Sequence, residues 1–409
     1  MKVLLVNVNA ISGSTGKIVT DTKNALEANG HKCVIAYGAN ETIKGDNYFR
    51  ICPELERKCN SAITRLTGIY YGLFTPFSFV RLKRLIQSYR PDVVHIHCAN
   101  GYTLDLFKAL EYLAKKHIKT VVTNHAEFFY TGGCGYAFDC VKWKNGCSKC
   151  EEPGYGRRFP VDNASYVWQK FRKAFDKFEP DNIIITSVSP WVTERAQKSP
   201  YLSRFTHRTV LNGLNTEVFH HSVNPKLVEK LTCCKPVILH VTPNFSTSPL
   251  SIKGGCYIIE LAKMMPNITF VVVASKSSVS TNELPANMVL WGRAKDQKEL
   301  ADLYSFADVT VIASKRETFN MTVAESLCCG TPVVGFKAGG PESIAISQYS
   351  SFVEYNDVRA LSDRIKSSIE NKYDKKMVSE NAIKKYASNV MGEKYLSVYT
   401  ELLSKCKNA

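Results

Sequence analysis

The stretch Ser314-Lys315-Arg316-Glu317-Thr318-Phe319-Asn320-Met321-Thr322-Val323-Ala324-Glu325-Ser326-Leu327-Cys328-Cys329-Gly330-Thr331-Pro332-Val333-Val334 decides the fold. An apolar, β-branched run at 309–313 ends just before it. A short polar turn follows, then helical spacing from about Asn320 until Gly330, a residue free to take the left-handed conformation that stops a helix. Pro332 opens the next apolar run, 332–336. Parallel strands need such crossover helices, and the same alternation extends through the chain. Strand-like runs fall at 3–7, 33–37, 93–97, 120–123, 183–188, 237–241 and 269–274, with amphipathic segments at 16–29, 103–117, 256–265, 296–306 and 321–329. The class is α/β with Rossmann-like parallel sheets.

The pattern runs twice. A first series closes near Thr186-Ser187-Val188-Ser189-Pro190, and a second begins at Lys235-Pro236-Val237-Ile238-Leu239. The expected division is a first domain over 1–195, with a Cys-rich insert at 131–155, a linker over 196–215, a second domain over 216–385 and a closing segment over 386–409. Two such domains facing each other would place a cleft at the C-terminal ends of both sheets, where open α/β sheets bind ligands. The 409 residues suit two domains of ordinary size.

A net charge of +16, from 53 Lys and Arg against 37 Asp and Glu, points to an anionic partner. The excess leans toward the N-terminal half and sits in no tail. The 44% hydrophobic and 22% charged shares exclude large-scale disorder. After Met1-Lys2 the apolar run breaks at Asn7, too short for a signal-peptide core, and no stretch reaches transmembrane length. The expectation is a cytoplasmic protein whose 14 cysteines stay reduced.

Glu317 stands before the helix and Glu325 inside it, eight positions on. The helix N-terminus offers the N–H groups of Phe319, Asn320 and Met321 to a diphosphate. Glu325 suits ribose hydroxyls and Glu317 a sugar hydroxyl; the competing reading makes both solvated surface glutamates. This Glu-x7-Glu block resembles the donor signature of family-4 retaining glycosyltransferases of GT-B fold. Cys329-Gly330-Thr331-Pro332-Val333 and Gly339-Gly340-Pro341-Glu342 after it extend the likeness. Val210-Leu211-Asn212-Gly213-Leu214-Asn215 resembles the family's linker, with Asn215 where Asp is usual, and Lys253-Gly254 its lysine–glycine pair. Lys394-Tyr395 through Tyr399 resembles its last helix, which crosses back to the first domain.

The resemblance implies sugar transfer from a UDP- or GDP-sugar with retention and no cofactor for catalysis. It makes Lys253 the cation for the departing diphosphate, Glu317 the residue that positions the donor sugar and Glu325 the ribose ligand. The family's arginine before Lys-Gly is missing from Thr242–Ile252, so the expectation is that either Arg293 or Arg316 replaces it or hydroxyl and backbone donors do. A branch with a similar Thr-Gly-Gly-Cys insert acts in colanic-acid-like exopolysaccharide, capsule and O-antigen assembly. That points to a glycan acceptor carried on lipid, and to peripheral contact at the inner face of the membrane.

Three further features belong to the first half. Ser12-Gly13-Ser14-Thr15-Gly16-Lys17 is either a plain turn into a helix or, as the resemblance implies, a loop with Gly16 and Lys17 against donor and acceptor. His125 matches the position of a histidine beside the transferred sugar, with Glu127 a weaker neighbour; the His95-Ile96-His97 pair reads as packing rather than metal. Cys134, Cys140, Cys147 and Cys150 could hold a structural zinc or be free thiols. The aromatic and basic stretch 61–90 contains Tyr70, Tyr71, Phe74, Phe77 and Phe79 with Arg65, Arg81, Lys83 and Arg84. It reads as a buried helix pair with snorkelling cations or as a membrane-docking surface. Competing classes are a nucleotide-sugar epimerase or a phosphorylase on the same fold, and a basic, zinc-stabilised nucleic-acid binder. The Glu-x7-Glu block opposes the epimerase, no lysine in a cofactor-binding context supports the phosphorylase, and the second α/β domain opposes the binder, so no nucleic-acid partner is expected.

Overall fold

The computed structural model describes residues 1–39, 41, 43, 45, 47–69, 71–99, 101–150, 162–225, 236–279 and 284–405. Two units divide the chain: Met1–Gly213 with Ser388–Ala409, and Leu214–Ala387. Tyr70, the insert's end at 151–155 and the last four residues of the closing segment lie outside the described residues.

In the first unit the strands are β1 (Lys2–Asn7), β2 (Lys32–Tyr37), β3 (Tyr48–Arg50), β4 (Val93–Ile96), β5 (Thr120–Asn124), β6 (Ile183–Ser187) and β7 (Thr206–Thr209). They are arranged β3-β2-β1-β4-β5-β6-β7, every neighbouring pair parallel. Apart from Lys2 the three middle strands β1, β4 and β5 are buried throughout, because helices cover both faces. On one face Leu4, Val6, Ile96 and Val122 share a core with Leu110 of α4 (Leu106–Lys115) and Phe171 of α5 (Ala164–Phe175). On the other, Val3, Leu5 and Val121 share one with Val19 of α1 (Gly13–Ala28) and with Tyr395 and Tyr399 of the last helix (Ser388–Ser404). The first unit also carries α2 (Glu54–Thr67), α3 (Pro76–Tyr89) and α6 (Pro190–Gln197).

The second unit contains β8 (Val237–Phe245), β9 (Thr269–Ser277), β10 (Met288–Gly292), β11 (Val309–Ile312), β12 (Val333–Phe336) and β13 (Ser350–Val353) in the order β10-β9-β8-β11-β12-β13, again all parallel. Its helices include α7 (Gly255–Met264), α8 (Gln297–Phe306), α9 (Met321–Cys328) and the short α10 (Gly340–Ile344). Both units are Rossmann-like, with parallel sheets, as the sequence predicts.

Four strands escape the sequence reading: β3, β7, β10 and β13. They are the four sheet edges, short and only partly buried, so they show no continuous apolar run. One of them, β7, falls inside 196–215, the stretch read as a linker.

Candidate functional site

In each sheet the strand order reverses once, between β1 and β4 and between β8 and β11. Loops beyond the C-terminal ends of strands at such points bind ligands in open α/β sheets. The loops after β8 and β11 carry Lys253 and Glu317.

Gly254 takes φ +68°, and a Cβ there would stand 2.1 Å from the Ala313 carbonyl oxygen, so the Lys253 loop presses directly on the end of β11. The Lys315 N–H donates to the Ile252 carbonyl at 2.8 Å, which ties the two loops together. Glu317 is then fixed by its backbone: its N–H donates to Ala338 at 3.0 Å, and its carbonyl accepts the Gly340 N–H at 2.9 Å. Gly340 must be glycine, because a Cβ would lie 2.4 Å from the Thr318 carbonyl carbon. Glu342 accepts the N–H groups of Ala338 at 2.9 Å and Gly339 at 2.7 Å and closes that turn.

Held this way, the Glu317 carboxylate is 6% exposed and meets the Lys253 ammonium at 2.6 Å. Sequence reading gives the two residues separate duties; in the fold they are one charge-assisted pair. Asn320 turns the chain at φ +73°, a conformation asparagine tolerates better than most residues, and α9 starts at Met321. Phe319 is buried beside this turn. Glu325 lies in α9, where its Oε2 accepts the Tyr304 hydroxyl at 2.9 Å. Burial, and then the charge of Glu325, push the Tyr304 phenol well above its ordinary pKa, so the hydroxyl remains a donor. No motif singles out Tyr304; its place on α8 against α9 emerges only from packing. Arg316 adjoins Glu317 in the same loop and is half-buried, whereas Arg293 is exposed just beyond edge strand β10, two strands from β8.

In the first unit α1 begins at Gly13, so Gly16 and Lys17 stand on the helix rather than in a loop, Gly16 buried and Lys17 exposed. The N-cap is Ser12. The backbone ahead of it grips an anion: Ala10 and Ser12 N–H groups donate to the Glu41 carboxylate at 2.5 and 2.9 Å. Burial works against ionisation of Glu41, but donors from Ser12, Ala10 and Ile11 outweigh it and hold its carboxyl below the usual range.

His125 follows β5, and its Nε2 is 3.0 Å from Nδ1 of His97. One nitrogen donates and the other accepts, so the pair cannot be doubly cationic. Burial lowers the His125 pKa to about 4. His95 stacks on His97 with ring centres 3.7 Å apart and bridges Tyr399 at 2.7 Å to Thr123 at 2.6 Å. The His95–His97 pair thus packs against the last helix. Glu127 is fully buried, paired with Arg195 at 2.6 Å and accepting the Ala137 N–H at 2.7 Å. It struts the insert rather than facing a ligand.

The insert is organised around Trp143, 1% exposed, whose carbonyl accepts the Trp168 indole N–H at 3.0 Å. Cys134, Cys147 and Cys150 are partly buried and Cys140 is exposed. The Gly132 N–H donates to the Cys147 sulfur at 3.1 Å. Burial, and then the neighbouring Cys134, raise the Cys147 thiol to about 12, with Cys140 and Cys150 adding to the rise. Among the described residues no group of three or more His, Cys, Asp or Glu side chains is arranged to hold a metal.

The family model for Glycosyltransferase Family 4 matches residues 15–218, and that for Glycosyl transferases group 1 matches residues 253–385. The chain belongs to the family-4 glycosyltransferases. This glycosyltransferase is 29% identical to the D-inositol 3-phosphate glycosyltransferase of Xylanimonas cellulosilytica over 124 residues, 27% of its own chain and 30% of that relative. The aligned stretch therefore spans less than a third of that relative's length. Sucrose-phosphate synthase from Thermosynechococcus elongatus is similar at TM-score 0.70 and 15% identity, covering 99% of both chains. Anabaena HepE in complex with UDP is similar at TM-score 0.65 and 14% identity, covering 98% of this chain and 100% of that one. At such identities the likeness shows a shared GT-B fold.

Proposed function

We propose that the chain transfers a hexose-type sugar, with retention, from a UDP- or GDP-sugar to a lipid-linked glycan in the assembly of a bacterial surface polysaccharide. The observation that carries this reading is the Lys253–Glu317 pair at the switch point of the second sheet, with Glu325 oriented by Tyr304 on the adjoining helix. A diphosphate would engage Lys253, Arg316 and the start of α9 at Phe319, Asn320 and Met321, while Glu317 takes a sugar hydroxyl and Glu325 the ribose. The anomeric carbon–phosphate oxygen bond breaks as the acceptor oxygen attacks from the same face, and the departing phosphate oxygen accepts the acceptor's proton. Lys253 and the helix N-terminus balance the charge that develops there. His125, neutral at physiological pH, serves as a hydrogen-bonding group for the sugar. The complex of HepE with UDP makes UDP-sugars the first donors to try.

The decisive experiment is a thermal-shift screen of UDP- and GDP-sugars followed by analysis of product linkage. Glu317→Gln and Lys253→Ala should each lower kcat by roughly 10²–10³ while leaving the fold intact. Near-wild-type turnover in both would refute the site. A structural zinc on Cys134, Cys140, Cys147 and Cys150 is a second part of this proposal, supported by their mutual proximity around Cys147. Drawing the four sulfurs into one tetrahedron would require their side chains to rearrange. Elemental analysis of the purified chain that finds far less than one zinc per molecule would remove it.

A further inference from the structure

Segment 51–90 carries seven Lys or Arg against two Glu, and both carboxylates are used internally. Glu54 is clasped by Arg50 at 2.9 Å and Arg57 at 2.6 Å. Glu56, 8% exposed, accepts the N–H groups of Phe77 at 2.8 Å and Ser78 at 2.9 Å, and so caps α3. Lys58 also acts on Glu54, whereas the exposed cations Arg65, Arg81, Lys83 and Arg84 are left with no carboxylate counterpart on either helix.

Apolar side chains point outward among them. Tyr71 and Phe79 turn inward, against Phe107 and Tyr112, but Phe74 and Phe77 are 58% and 65% exposed. Along α2, Leu55, Cys59, Ala62 and Leu66 recur at four-, three- and four-residue steps on an exposed stripe, and the two leucines are each 75% exposed. Hydrogen bonds from Phe74 to Asn60 and from Phe77 to Glu56 set the start of α3 beside the first turns of α2. Farther along α3, Arg81, Arg84 and Ser88 line an open groove of about 290 Å³ with Phe49 and Arg50 of edge strand β3. A single exposed leucine needs no explanation, but an apolar face bordered by one sign of charge does.

We propose that this face of α2 and α3 docks the protein on a membrane containing anionic phospholipid. Leu66, Phe74 and Phe77 enter the boundary between headgroups and acyl chains, and Arg81 and Arg84 take headgroup phosphates in the groove. Charge complementarity selects this occupant over a second copy of the chain. A symmetric pairing would set this cationic face against itself, with no carboxylate to answer it. The proposal deepens the reading of a lipid-linked acceptor, yet its own test needs no acceptor. Edge strand β3 is two strands from β1, roughly 10 Å at the usual strand spacing, so the docking face is separate from the loop after β1.

The full chain should co-sediment with vesicles of phosphatidylcholine containing phosphatidylglycerol at low salt, and with pure phosphatidylcholine vesicles hardly at all. High salt should release it. Arg81→Gln with Arg84→Gln should lower partitioning about fivefold per charge removed, and Phe74→Ser with Phe77→Ser should lower it by at least about tenfold. Both variants should keep the wild-type thermal shift with nucleotide, because neither touches the second unit. Equal binding to neutral and anionic vesicles, or wild-type partitioning of both variants, would overturn the proposal. So would a concentration-dependent dimer that Leu66→Ser abolishes. Loss of the nucleotide response in the wild-type chain, with membrane binding intact, would instead count against the transferase reading alone.

Discussion

Glu325 owes its orientation to a residue 21 positions earlier, the Tyr304 hydroxyl on α8. A hydrogen bond to a charged partner contributes about 1.5–3 kcal/mol, enough to decide how well one carboxylate meets a pair of ribose hydroxyls. Tyr304→Phe keeps the ring in the core and removes only that bond. If Glu325 holds the ribose equally in the ground and transition states, KM for the donor should rise roughly tenfold while kcat barely changes. Steady-state kinetics over a range of donor concentrations checks this, and a fall in kcat at constant KM would contradict it. At this scale the sequence is legible where chemistry is local. Glu317, Glu325 and Lys253 are visible by type and spacing, but their partners are not: Tyr304 behind Glu325, and Lys253 for Glu317, 64 residues away. Glu127 shows the converse, since a carboxylate beside a candidate histidine turns out to be spent on Arg195.

Among the elements, those buried on both faces announce themselves and those at the sheet edges do not. β11 and β12 are fully buried four-residue strands and read as apolar runs, while β7, Thr-His-Arg-Thr, carries no apolar signal and is defined by pairing with β6 alone. The loops beyond the strands are set by backbone contacts that composition cannot reveal. The double glycine after β12 is needed because the Glu317 loop lies against it. Gly340→Ala must displace the backbone of Thr318 and Phe319, whose nitrogen would be 2.6 Å from the new Cβ. A shift of about 1 Å in the residues that position substrate can cost roughly 10²-fold in rate. We expect a loss of that order in kcat/KM for Gly340→Ala and none for Gly135→Ala, where nothing lies within 4 Å of the added methyl. Equal activity of the two variants would show that the loop contact does not govern the site. The ends of β4 and β5 give a second element-scale expectation, through histidines kept neutral by burial. His125 is lowered to about 4 and His95 and His97 well below 6.5, so the unfolded chain binds protons that the folded one refuses. Their stability contribution is complete above pH 6.5 and is lost as pH falls toward 4, at about 1.4 kcal/mol per pH unit for each such histidine. Burial raises the Asp21 carboxyl to about 6, so its protonation in the folded chain offsets part of this loss. The urea midpoint should still drop between pH 6.5 and 5, because three histidines oppose one carboxyl; a flat midpoint there would mean the histidines are not held neutral.

For the whole molecule, the decisive feature is that one unit is continuous and the other is not. Leu214–Ala387 is a single stretch, whereas the first unit needs the last helix, which follows the entire second unit in the chain. The resemblance of Lys394–Tyr399 to a returning helix points to this arrangement, and the packing supplies its physical basis. Met391, Tyr395, Val398, Tyr399 and Leu402 are each no more than 4% exposed and close one face of the first sheet with α1. Full burial of a large apolar side chain contributes about 1.5–3 kcal/mol. Five of them together amount to roughly the total stability of an ordinary domain. A chain ending at Ala387 should then lose the first unit's cooperative transition while the second unit keeps its own, because no residue of its core lies beyond Ala387. Limited proteolysis should leave a protected fragment that begins near Leu214, and calorimetry should show one transition where the full chain shows the sum of both. If the shortened chain retained both transitions at their original temperatures, the last helix would be an accessory to the first sheet rather than one of its two covering layers. The continuous unit would also have to respond to nucleotide alone, since Lys253, Glu317, Glu325 and Tyr304 all belong to it.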